Sequence, residues 1–316
     1  MHIVILDTLT LGSDVDLSIF NKFGQLSVFE TTNRHETVNR IGDAEVIITN
    51  KVYLGEKEIN AAPNLKLICV AATGYNNIDI KAAQEKGIIV TNVRNYSTES
   101  VAQHTFSLIL ALQNSLLDYV NETRNGNWAK SPVFTMLNHP FVELSGKKIG
   151  IIGYGTIGKR VAEIAKAFGM VVLIGERPGV DYNDTGRVNF ETVLKESDII
   201  SIHAPLSDNT RNLFTANEFK KMKPSAILIN AARGGIVNEN DLYDALKNKI
   251  IRAAATDVTE KEPIPPDNKL PELPNLLITP HMAWGSLESR NRLIAGIVNN
   301  IEKFLAGEGD GINLAR

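Results

Sequence analysis

The chain alternates between short apolar runs and longer segments in which apolar residues recur every three or four positions. In the first part of the chain the apolar runs are Ile3–Leu6, Val46–Thr49, Leu65–Ala71 and Ile88–Thr91. Such runs, separated by helical segments such as Ile80–Lys86, are typical of the buried strands of a parallel sheet. The pattern therefore predicts one small α/β unit at the start of the chain.

A longer helix is predicted after this unit. The residues that would form its buried face are Val101, Ala102, Thr105, Leu108, Ile109 and Leu112. Their spacing places them on one side of a helix, and Ser97 or Thr98 can cap its N-terminus. The segment Asn125–Val142 contains Gly126 and two prolines and has no clear period, so we expect an irregular arm there.

A second α/β unit follows the arm. We predict six parallel strands in it, at Ile149–Ile152, Val171–Ile174, Ile199–Ile202, Ala226–Ile229, Ala253–Thr256 and Leu276–Thr279. Six is the number of strands in a doubly wound dinucleotide-binding sheet. The segment Ser289–Leu305 again has helical spacing. Because it follows the sixth strand, we expect it to return to the first domain.

The composition limits what this α/β protein does. Its 316 residues predict about two domains, and a hydrophobic content of 43% is enough for packed cores. The 33 basic and 36 acidic residues give a net charge of −3, so charge does not attract the chain to nucleic acid or to a membrane. The single cysteine, Cys69, excludes an internal disulfide, and the six histidines lack zinc-ligand spacing, so we predict no metal site.

The N-terminal sequence predicts no secretory signal. It lacks a basic start, and Asp7 interrupts its apolar run early. No stretch approaches the roughly 20 apolar residues of a membrane span. We therefore expect a soluble, cytoplasmic protein, which on composition alone is either an enzyme or a ligand-binding protein.

A glycine-rich loop separates the first two strands of the second unit: Gly153, Tyr154, Gly155, Thr156, Ile157 and Gly158. The first glycine permits a tight turn, the second lets a pyrophosphate approach the backbone, and the third lets the helix pack on the strand. A lone motif of this kind is weak evidence and can be a simple turn. Here it follows a strand and opens an amphipathic helical run, Lys159–Phe168, so we predict that it binds a dinucleotide.

Glu176 lies at the end of the next strand, roughly 20 residues after the loop, where a ribose diol requires a carboxylate. Its charge would repel a 2′-phosphate and therefore favours NAD over NADP. Arg177 follows directly and has two interpretations. It can grip a 2′-phosphate, or it can be a solvated side chain, which we prefer.

Three chemically active side chains follow three strands of the same predicted sheet. Arg233 comes after the fourth strand, Glu262 after the fifth and His281 after the sixth. The carboxyl ends of parallel strands share one edge, where doubly wound folds bind their ligands. An arginine fork matches a carboxylate, a histidine donates and accepts protons near neutral pH, and a carboxylate bonded to that histidine fixes its tautomer. With a nicotinamide, this set suits hydride transfer to a 2-oxo acid.

Each of these residues also has an ordinary explanation. A lone histidine after a strand is more often a loop residue, and a lone arginine is usually part of a surface ion pair. Glu262, which precedes Pro263, can simply form a turn. The shared edge beside a nucleotide loop favours function, but spacing alone leaves the question open.

The chain resembles the D-isomer-specific 2-hydroxyacid dehydrogenases over nearly its whole length. The resemblance rests on six segments and their order: Ala72–Asp79, Gly153–Gly158, Ile202–Leu206, Asn230–Gly235, Asp257–Val258 with Glu262–Pro263, and Thr279–His281. It implies an α/β fold of two doubly wound parallel-sheet domains, a Rossmann NAD domain inserted in a flavodoxin-like substrate domain. We place the substrate domain at residues 1–98 and 288–316, and the NAD domain at 99–287.

The resemblance also implies roles for individual residues. Arg233 would hold the substrate carboxylate and carbonyl, His281 would exchange the proton, and Glu262 would bond His281. The backbone around Thr73 and Gly74 would bind the carboxylate from the other domain. Further expected contacts to NAD come from Thr105, His203, Ala204, Pro205, Ala231 and Asp257.

Within this family, the segment Thr279–Trp284 is similar to glycerate dehydrogenases, also called hydroxypyruvate reductases. Trp284 either lines the substrate pocket or packs between domains. Three positions depart from the common family pattern, namely Asn76, Gln103 and Asn238. None of them is catalytic, but they weaken any assignment to a subfamily.

The resemblance therefore implies NADH-dependent reduction of hydroxypyruvate or glyoxylate, or the reverse oxidation, by a homodimer in which the arm Asn125–Val142 is a plausible contact. Oxidation of D-lactate or of phosphoglycerate is the main alternative within the family. Formate oxidation is disfavoured because Glu262 is retained beside His281. A transcriptional corepressor that senses NAD(H) is the non-enzymatic alternative.

Overall fold

The computed structural model describes residues 1–176 and 186–308 and divides the chain into two compact units. The first unit consists of Met1–Ser97 and the segment that begins at Trp284. The second is the continuous stretch Thr98–Ala283. Trp284 packs in the first unit, with its ring 6.2 Å from that of Tyr96. The domain boundaries at residues 98 and 287 stay predictions.

The described residues form eleven strands and ten α-helices. The strands are β1 His2–Ile5, β2 Gln25–Val28, β3 Val46–Thr49, β4 Leu67–Val70, β5 Ile89–Thr91, β6 Lys148–Ile152, β7 Val171–Ile174, β8 Ile199–Ile202, β9 Ile227–Asn230, β10 Ala253–Thr256 and β11 Leu276–Ile278. The helices are α1 Thr37–Ile41, α2 Glu56–Asn60, α3 Ile80–Glu85, α4 Thr98–Gln113, α5 Leu116–Arg124, α6 Thr156–Ala167, α7 Phe190–Glu196, α8 Ala216–Lys221, α9 Glu239–Lys247 and α10 Leu287–Leu305. Short 3-10 turns lie at Thr8–Leu11, Ser18–Phe23, Trp128–Lys130 and Leu270–Glu272.

The sheet of the first unit is parallel, with strand order β2-β1-β3-β4-β5. This is the flavodoxin-like order of a doubly wound fold. Alternate residues of its strands enter two separate cores, so Val4 lies in one and Ile5 in the other. Helix α10 contributes Leu293, Ile297 and Ile301 to the second core. The C-terminal helix therefore packs in the core of the first unit.

The sheet of the second unit is also parallel, with strand order β11-β10-β9-β8-β6-β7. The chain thus starts at β6, builds outward to β7, and then reverses direction to build β8 through β11. A single bridge between Gly175 and Val188 adds a further pairing beside β7. The reversal lies between β6 and β8, and ligands bind at such a switch point in doubly wound folds.

Two possible features are not found in the part of the chain that the structure describes. Among residues 1–176 and 186–308, no helix combines the length and apolar character that crossing a membrane requires. The same residues contain no group of three or more His, Cys, Asp or Glu side chains placed to hold a metal ion.

Candidate active site

The glycine-rich loop joins β6 to α6 at the carboxyl end of the first strand of the second sheet. Gly153 has a φ of +95°, and a Cβ there would lie 2.6 Å from the backbone nitrogen of Ala204. A Cβ on Gly158 would collide with the carbonyl oxygen of Gly153. Both positions therefore require glycine because of the packing inside this unit.

Gly155 differs from these two glycines because the space beside it is open. Apart from Gly155 itself and its neighbours along the chain, no atom of the residues that the structure describes lies within 4 Å of a Cβ placed there. Gly155 is the N-cap of α6 and offers no side chain to the first N–H groups of that helix, which begins at Thr156. An exposed backbone at a helix N-terminus is what a phosphate requires. Tyr154 and Ile157 pack partly against the core below, so the residues present fit a dinucleotide.

Glu176 lies at the end of the next strand, β7, as predicted. Its backbone N–H donates to the carbonyl oxygen of Val188 at 2.9 Å, and the residue is partly exposed. Arg177 lies outside the described residues, so its contribution to cofactor choice stays a prediction.

The end of β8 lies directly beside the glycine loop. The N–H of His203 donates to the carbonyl oxygen of Ile152 at 2.7 Å. Ala204 and Pro205 follow in the loop after β8. The His203 Nε2 lies 2.8 Å from the hydroxyl of Ser201, but its Nδ1 is buried with no partner in the described part of the chain. Burial lowers the pKa of His203 to about 4, so the ring is neutral at neutral pH. A bound ligand or an ordered water commonly satisfies a buried nitrogen of this kind.

His281 and Glu262 form a close pair on the loops that follow β11 and β10. The Nδ1 atom of His281 lies 2.6 Å from Oε2 of Glu262, and Glu262 Oε1 accepts the backbone N–H of Thr259 at 3.1 Å. The two side chains are 26% and 34% exposed, so the pair is partly sheltered and still reachable from solvent. The structure therefore brings together two of the three residues that the strand-end pattern predicted.

The pairing fixes where the histidine carries its proton. An ionised carboxylate only accepts hydrogen bonds, so Nδ1 of His281 must donate to Glu262. The other ring nitrogen, Nε2, takes no part in this hydrogen bond. This is the arrangement by which a carboxylate orients a histidine and stabilises its charged form in catalytic triads.

Arg233 lies on the loop after β9, which neighbours β10 in the sheet. Its side chain is exposed, and its Nη1 donates to the carbonyl oxygen of Ala232 at 2.7 Å. The adjacent Gly234 packs so closely on the backbone of Thr259 that any Cβ would collide with it. The loop that carries Arg233 and Ala231 is therefore held against the loop that carries Glu262. Arginine, glutamate and histidine thus share one edge of this sheet.

Comparisons with known proteins identify the family of this chain. Residues 106–283, more than half of the chain, match the sequence model described as "D-isomer specific 2-hydroxyacid dehydrogenase, NAD binding domain". The chain belongs to this family.

Similar proteins agree with the family. The chain is 41% identical to a glycerate dehydrogenase of Methylorubrum extorquens over 313 residues, covering 98% of both proteins. It is 37% identical to a hydroxypyruvate reductase of Blautia hydrogenotrophica, covering 97% of this chain and 98% of that one. The crystal structure of D-lactate dehydrogenase with NAD⁺ from Lactobacillus jensenii superposes with a TM-score of 0.81 at 28% identity, covering 100% of each chain.

This D-2-hydroxyacid dehydrogenase is therefore an NAD-dependent oxidoreductase that acts on the CH–OH group of small 2-hydroxy acids. The two parallel-sheet units are its Rossmann NAD domain and its substrate domain. The roles of individual side chains stay predictions, and the structure shows what each of them contacts.

Asp257 is buried in the second unit, with 1% of its surface exposed. Its Oδ1 accepts the hydroxyl of Thr279 at 2.6 Å and the N–H of Met282 at 2.9 Å, and its Oδ2 accepts the N–H of Ala283 at 2.8 Å. The carboxylate is therefore directed toward the loop that carries His281. Its expected contact with the nicotinamide carboxamide stays a prediction.

Thr105 occupies the buried face of α4, as the spacing predicted. It is 0% exposed, and its hydroxyl donates to the carbonyl oxygen of Val101 at 2.8 Å. Its one hydroxyl proton is thus used within its own helix, and its expected proximity to the nicotinamide stays a prediction.

The predicted substrate residues of the first unit lie just after β4. The hydroxyl of Thr73 donates to the carbonyl oxygen of Val93 at 2.9 Å, and the amide of Asn92 donates to the carbonyl oxygen of Thr73 at 2.7 Å. These bonds hold the loop that continues into Gly74. Trp284 packs on the core of this same unit, and its role in substrate binding stays a prediction.

Residues that support the site were missed in the sequence. Ser100 and His104 on α4 both bond the loop that carries His281, through Ala283 and Thr279 respectively. They stand beside the helix face that the apolar pattern assigned to packing. Their only signal was their polar character at positions four apart beside that apolar face.

Proposed function

We propose that this enzyme reduces hydroxypyruvate to D-glycerate with NADH and catalyses the reverse oxidation. The observation that carries the reaction type is the 2.6 Å contact between His281 and Glu262 at the edge shared with Arg233. The choice of hydroxypyruvate rests on the two relatives named glycerate dehydrogenase and hydroxypyruvate reductase, which are similar over nearly their full length.

The chain's own residues would supply binding and proton transfer. The Arg233 guanidinium would bind the substrate carboxylate through its planar fork and polarise the 2-oxo group. The Nε2–H of His281 would donate a proton to the carbonyl oxygen during reduction and take it back during oxidation. Glu262 would hold the ring in position and stabilise its charged form. For Thr73 and Gly74 we propose backbone N–H donation to the carboxylate, and for Trp284 a wall of the substrate pocket.

NADH, when bound, supplies the hydride. The residues that would hold it are the loop Gly153–Gly158 for the pyrophosphate and Glu176 for the adenosine ribose. His203, Ala204, Pro205, Ala231, Asp257 and Thr105 would hold the remainder. We propose NAD rather than NADP because the carboxylate of Glu176 repels a 2′-phosphate.

The test of the substrate is an initial-rate panel. Hydroxypyruvate, glyoxylate, pyruvate, 2-oxoglutarate and phosphohydroxypyruvate are each assayed with NADH and with NADPH. We expect the highest kcat/KM for hydroxypyruvate with NADH. A clear preference for another acid would overturn the substrate assignment, and a preference for NADPH would overturn the role given to Glu176.

D-lactate dehydrogenation is the second candidate. The similarity to the L. jensenii enzyme over the full length of both chains favours it. The two candidate substrates differ by one hydroxyl group, and a pocket that hydrogen-bonds that group rejects the analogue lacking it far more strongly than an apolar pocket does. The ratio of kcat/KM for hydroxypyruvate and pyruvate separates the two assignments directly.

We also propose that the enzyme is a cytoplasmic homodimer that pairs through the arm Asn125–Val142 and the preceding helix α5, Leu116–Arg124. Large exposed apolar side chains cluster there: Leu116, Leu117, Trp128, Val133, Phe134, Leu137, Phe141 and Val142. Phe134 is 89% exposed and Leu137 73%, and large apolar side chains exposed to this degree commonly mark an interaction surface. A second copy of the chain would cover the apolar side chains of the arm and of α5.

The dimer is tested by sedimentation. Replacing Phe134 and Leu137 together by serine is expected to produce monomers at concentrations where the native protein is dimeric. Leu305→Ser removes an apolar side chain that is 55% exposed on α10, outside the arm, and should leave the dimer intact. A native chain that sediments as a monomer would contradict the proposal.

A further inference from the structure

Helix α4 bonds both ends of the loop that carries His281. Ser100 and His104 are four residues apart and therefore face the same side of the helix. The hydroxyl of Ser100 donates to the carbonyl oxygen of Ala283 at 2.6 Å, and Nε2 of His104 lies 3.0 Å from the hydroxyl oxygen of Thr279. His281 lies between these two attachment points in the sequence.

The direction of the hydrogen bonds follows from the groups involved. Asp257 Oδ1 lies 2.6 Å from the Thr279 hydroxyl, and because a carboxylate only accepts, Thr279 must donate its proton to Asp257. The Thr279 oxygen is then left to accept, so Nε2 of His104 must carry a proton and donate it. A directed chain therefore runs from His104 through Thr279 to Asp257. His104 Nε2 also lies 3.6 Å from Asp257 Oδ1 and adds attraction whenever its ring is charged.

Asp257 in turn determines the shape of the loop. Three successive backbone N–H groups donate to it: that of His281 to its carbonyl oxygen at 2.8 Å, that of Met282 to Oδ1 and that of Ala283 to Oδ2. His281 has a φ of +52°, a left-handed conformation that residues other than glycine rarely adopt. Such a conformation persists only where its surroundings hold it. The orientation of the His281 ring thus depends on the Asp257 carboxylate, which His104 contacts through the hydroxyl of Thr279.

We propose that Ser100 and His104 form a clamp that positions His281 for proton transfer, acting through Ala283, Thr279 and Asp257. Neither residue needs to touch the substrate, so both are positioning residues. The proposal rests on the proposed role of His281, because its effect is on the group that exchanges the proton. A small displacement of a catalytic group lowers the rate strongly while binding contacts elsewhere remain.

The test compares two replacements of His104. His104→Phe keeps the volume of the ring and removes the donor, whereas His104→Gln keeps an N–H at about the same reach. We expect His104→Phe to lower kcat by about ten- to a hundredfold, with KM for hydroxypyruvate changed by less than about twofold. We expect His104→Gln to retain a kcat close to the native value. A structural role alone would not separate these two variants in kcat while leaving KM unchanged.

Ser100→Ala tests the second half of the clamp and has a matched control on the same helix. The hydroxyl of Ser107 donates to the carbonyl oxygen of Gln103 within α4, so Ser107→Ala removes a similar hydrogen bond away from the loop. We expect Ser100→Ala to lower kcat severalfold and Ser107→Ala to leave it unchanged. Equal effects of the two serine variants would contradict the clamp.

The position of the His281 ring can also be measured without turnover. The ¹⁵N chemical shifts of the His281 ring report its hydrogen bonding and are expected to change in His104→Phe and to return toward native values in His104→Gln. Native ring shifts together with native kcat in His104→Phe would overturn the clamp. An enzyme that reduces none of the 2-oxo acids would instead overturn the proposed function, and the ring shifts would still decide the question of the clamp.

Discussion

The two parallel sheets of this chain end in loops of different character. In the first unit several polar side chains at the strand ends are buried and bonded to the backbone of that unit. Asp7, 5% exposed, accepts the backbone N–H groups of Asn50 at 2.9 Å and Lys51 at 2.6 Å. The corresponding edge of the second unit also has such a buried group, Asp257, but adds the pair His281 and Glu262, whose side chains are 26% and 34% exposed.

The difference shows how one architecture serves two purposes. Buried polar groups in the first unit fix the path of the backbone, which agrees with the proposal that Thr73 and Gly74 bind the substrate carboxylate through backbone N–H groups. Partly exposed groups in the second unit keep hydrogen-bonding capacity for a ligand. We therefore expect substitutions at the second edge to reduce turnover, and substitutions at the first edge to act on substrate affinity and stability.

The largest effect is expected at His281. His281→Ala removes the proton donor and should lower kcat by about 10³-fold, within the range of general acid–base catalysis. The Kd for NADH, measured by fluorescence titration, should stay near the native value. His35→Ala, at an exposed histidine of the first unit, is the control. If kcat of His281→Ala stays within about tenfold of the native value, His281 is not the proton donor and the second edge does not differ from the first in this way.

The next effect is expected at Arg233. Arg233→Lys keeps the charge but loses the planar fork, so we expect kcat/KM for hydroxypyruvate to fall by about a hundredfold. Arg160→Lys is a matched control, since Arg160 pairs with Glu99 and Glu163 on the surface. If both lysine variants retain native kcat/KM, Arg233 does not bind the substrate through its fork.

A smaller effect is expected at the first edge. Thr73→Val removes the hydrogen bond to the Val93 carbonyl oxygen and should lower the free energy of unfolding by about 1 kcal/mol. Because the loop would still present its N–H groups, we expect KM to rise by only about three- to tenfold, with kcat nearly unchanged. A loss of kcat as large as that of Arg233→Lys would show that the first edge takes part in the chemistry.

The smallest expected effect is on stability rather than on turnover, and it concerns His203 at the second edge. Burial lowers the pKa of His203 from 6.5 to about 4, so between these values the unfolded chain binds more protons than the folded one. As pH falls through this window, His203 reduces the free energy of unfolding by at most about 1.4 kcal/mol per pH unit. His203→Gln should therefore reduce the pH dependence of the free energy of unfolding between pH 4 and 6.5. If the free energy of unfolding of the native protein and of His203→Gln depends on pH in the same way, burial does not lower the pKa of His203.

Most strands were predictable because they are buried on both faces and form continuous apolar runs. Strand β2, Gln25–Val28, was not predicted, because an edge strand that is half exposed alternates with polar residues and forms no run. Helix α5, Leu116–Arg124, buries none of its residues and so gave little apolar periodicity.

The site was predictable to the extent that topology determines it. The rule that parallel strands share a carboxyl edge placed Arg233, Glu262 and His281 on one side of the sheet. Contacts between distant segments, such as Ser100 with Ala283, leave no local pattern in the sequence. The left-handed backbone of His281 and the inward carboxylate of Asp257 depend on such contacts, so only the structure shows them.

The most direct test of the account is whether His281 and Glu262 act as one unit. The kcat values of Glu262→Gln, His281→Gln and the double variant, combined in a cycle, measure this coupling. We predict that Glu262→Gln lowers kcat by about thirty- to a hundredfold in the native background. In the His281→Gln background we predict a further loss of less than about threefold. If Glu262→Gln lowers kcat by the same factor in both backgrounds, the two side chains act independently and the account is wrong.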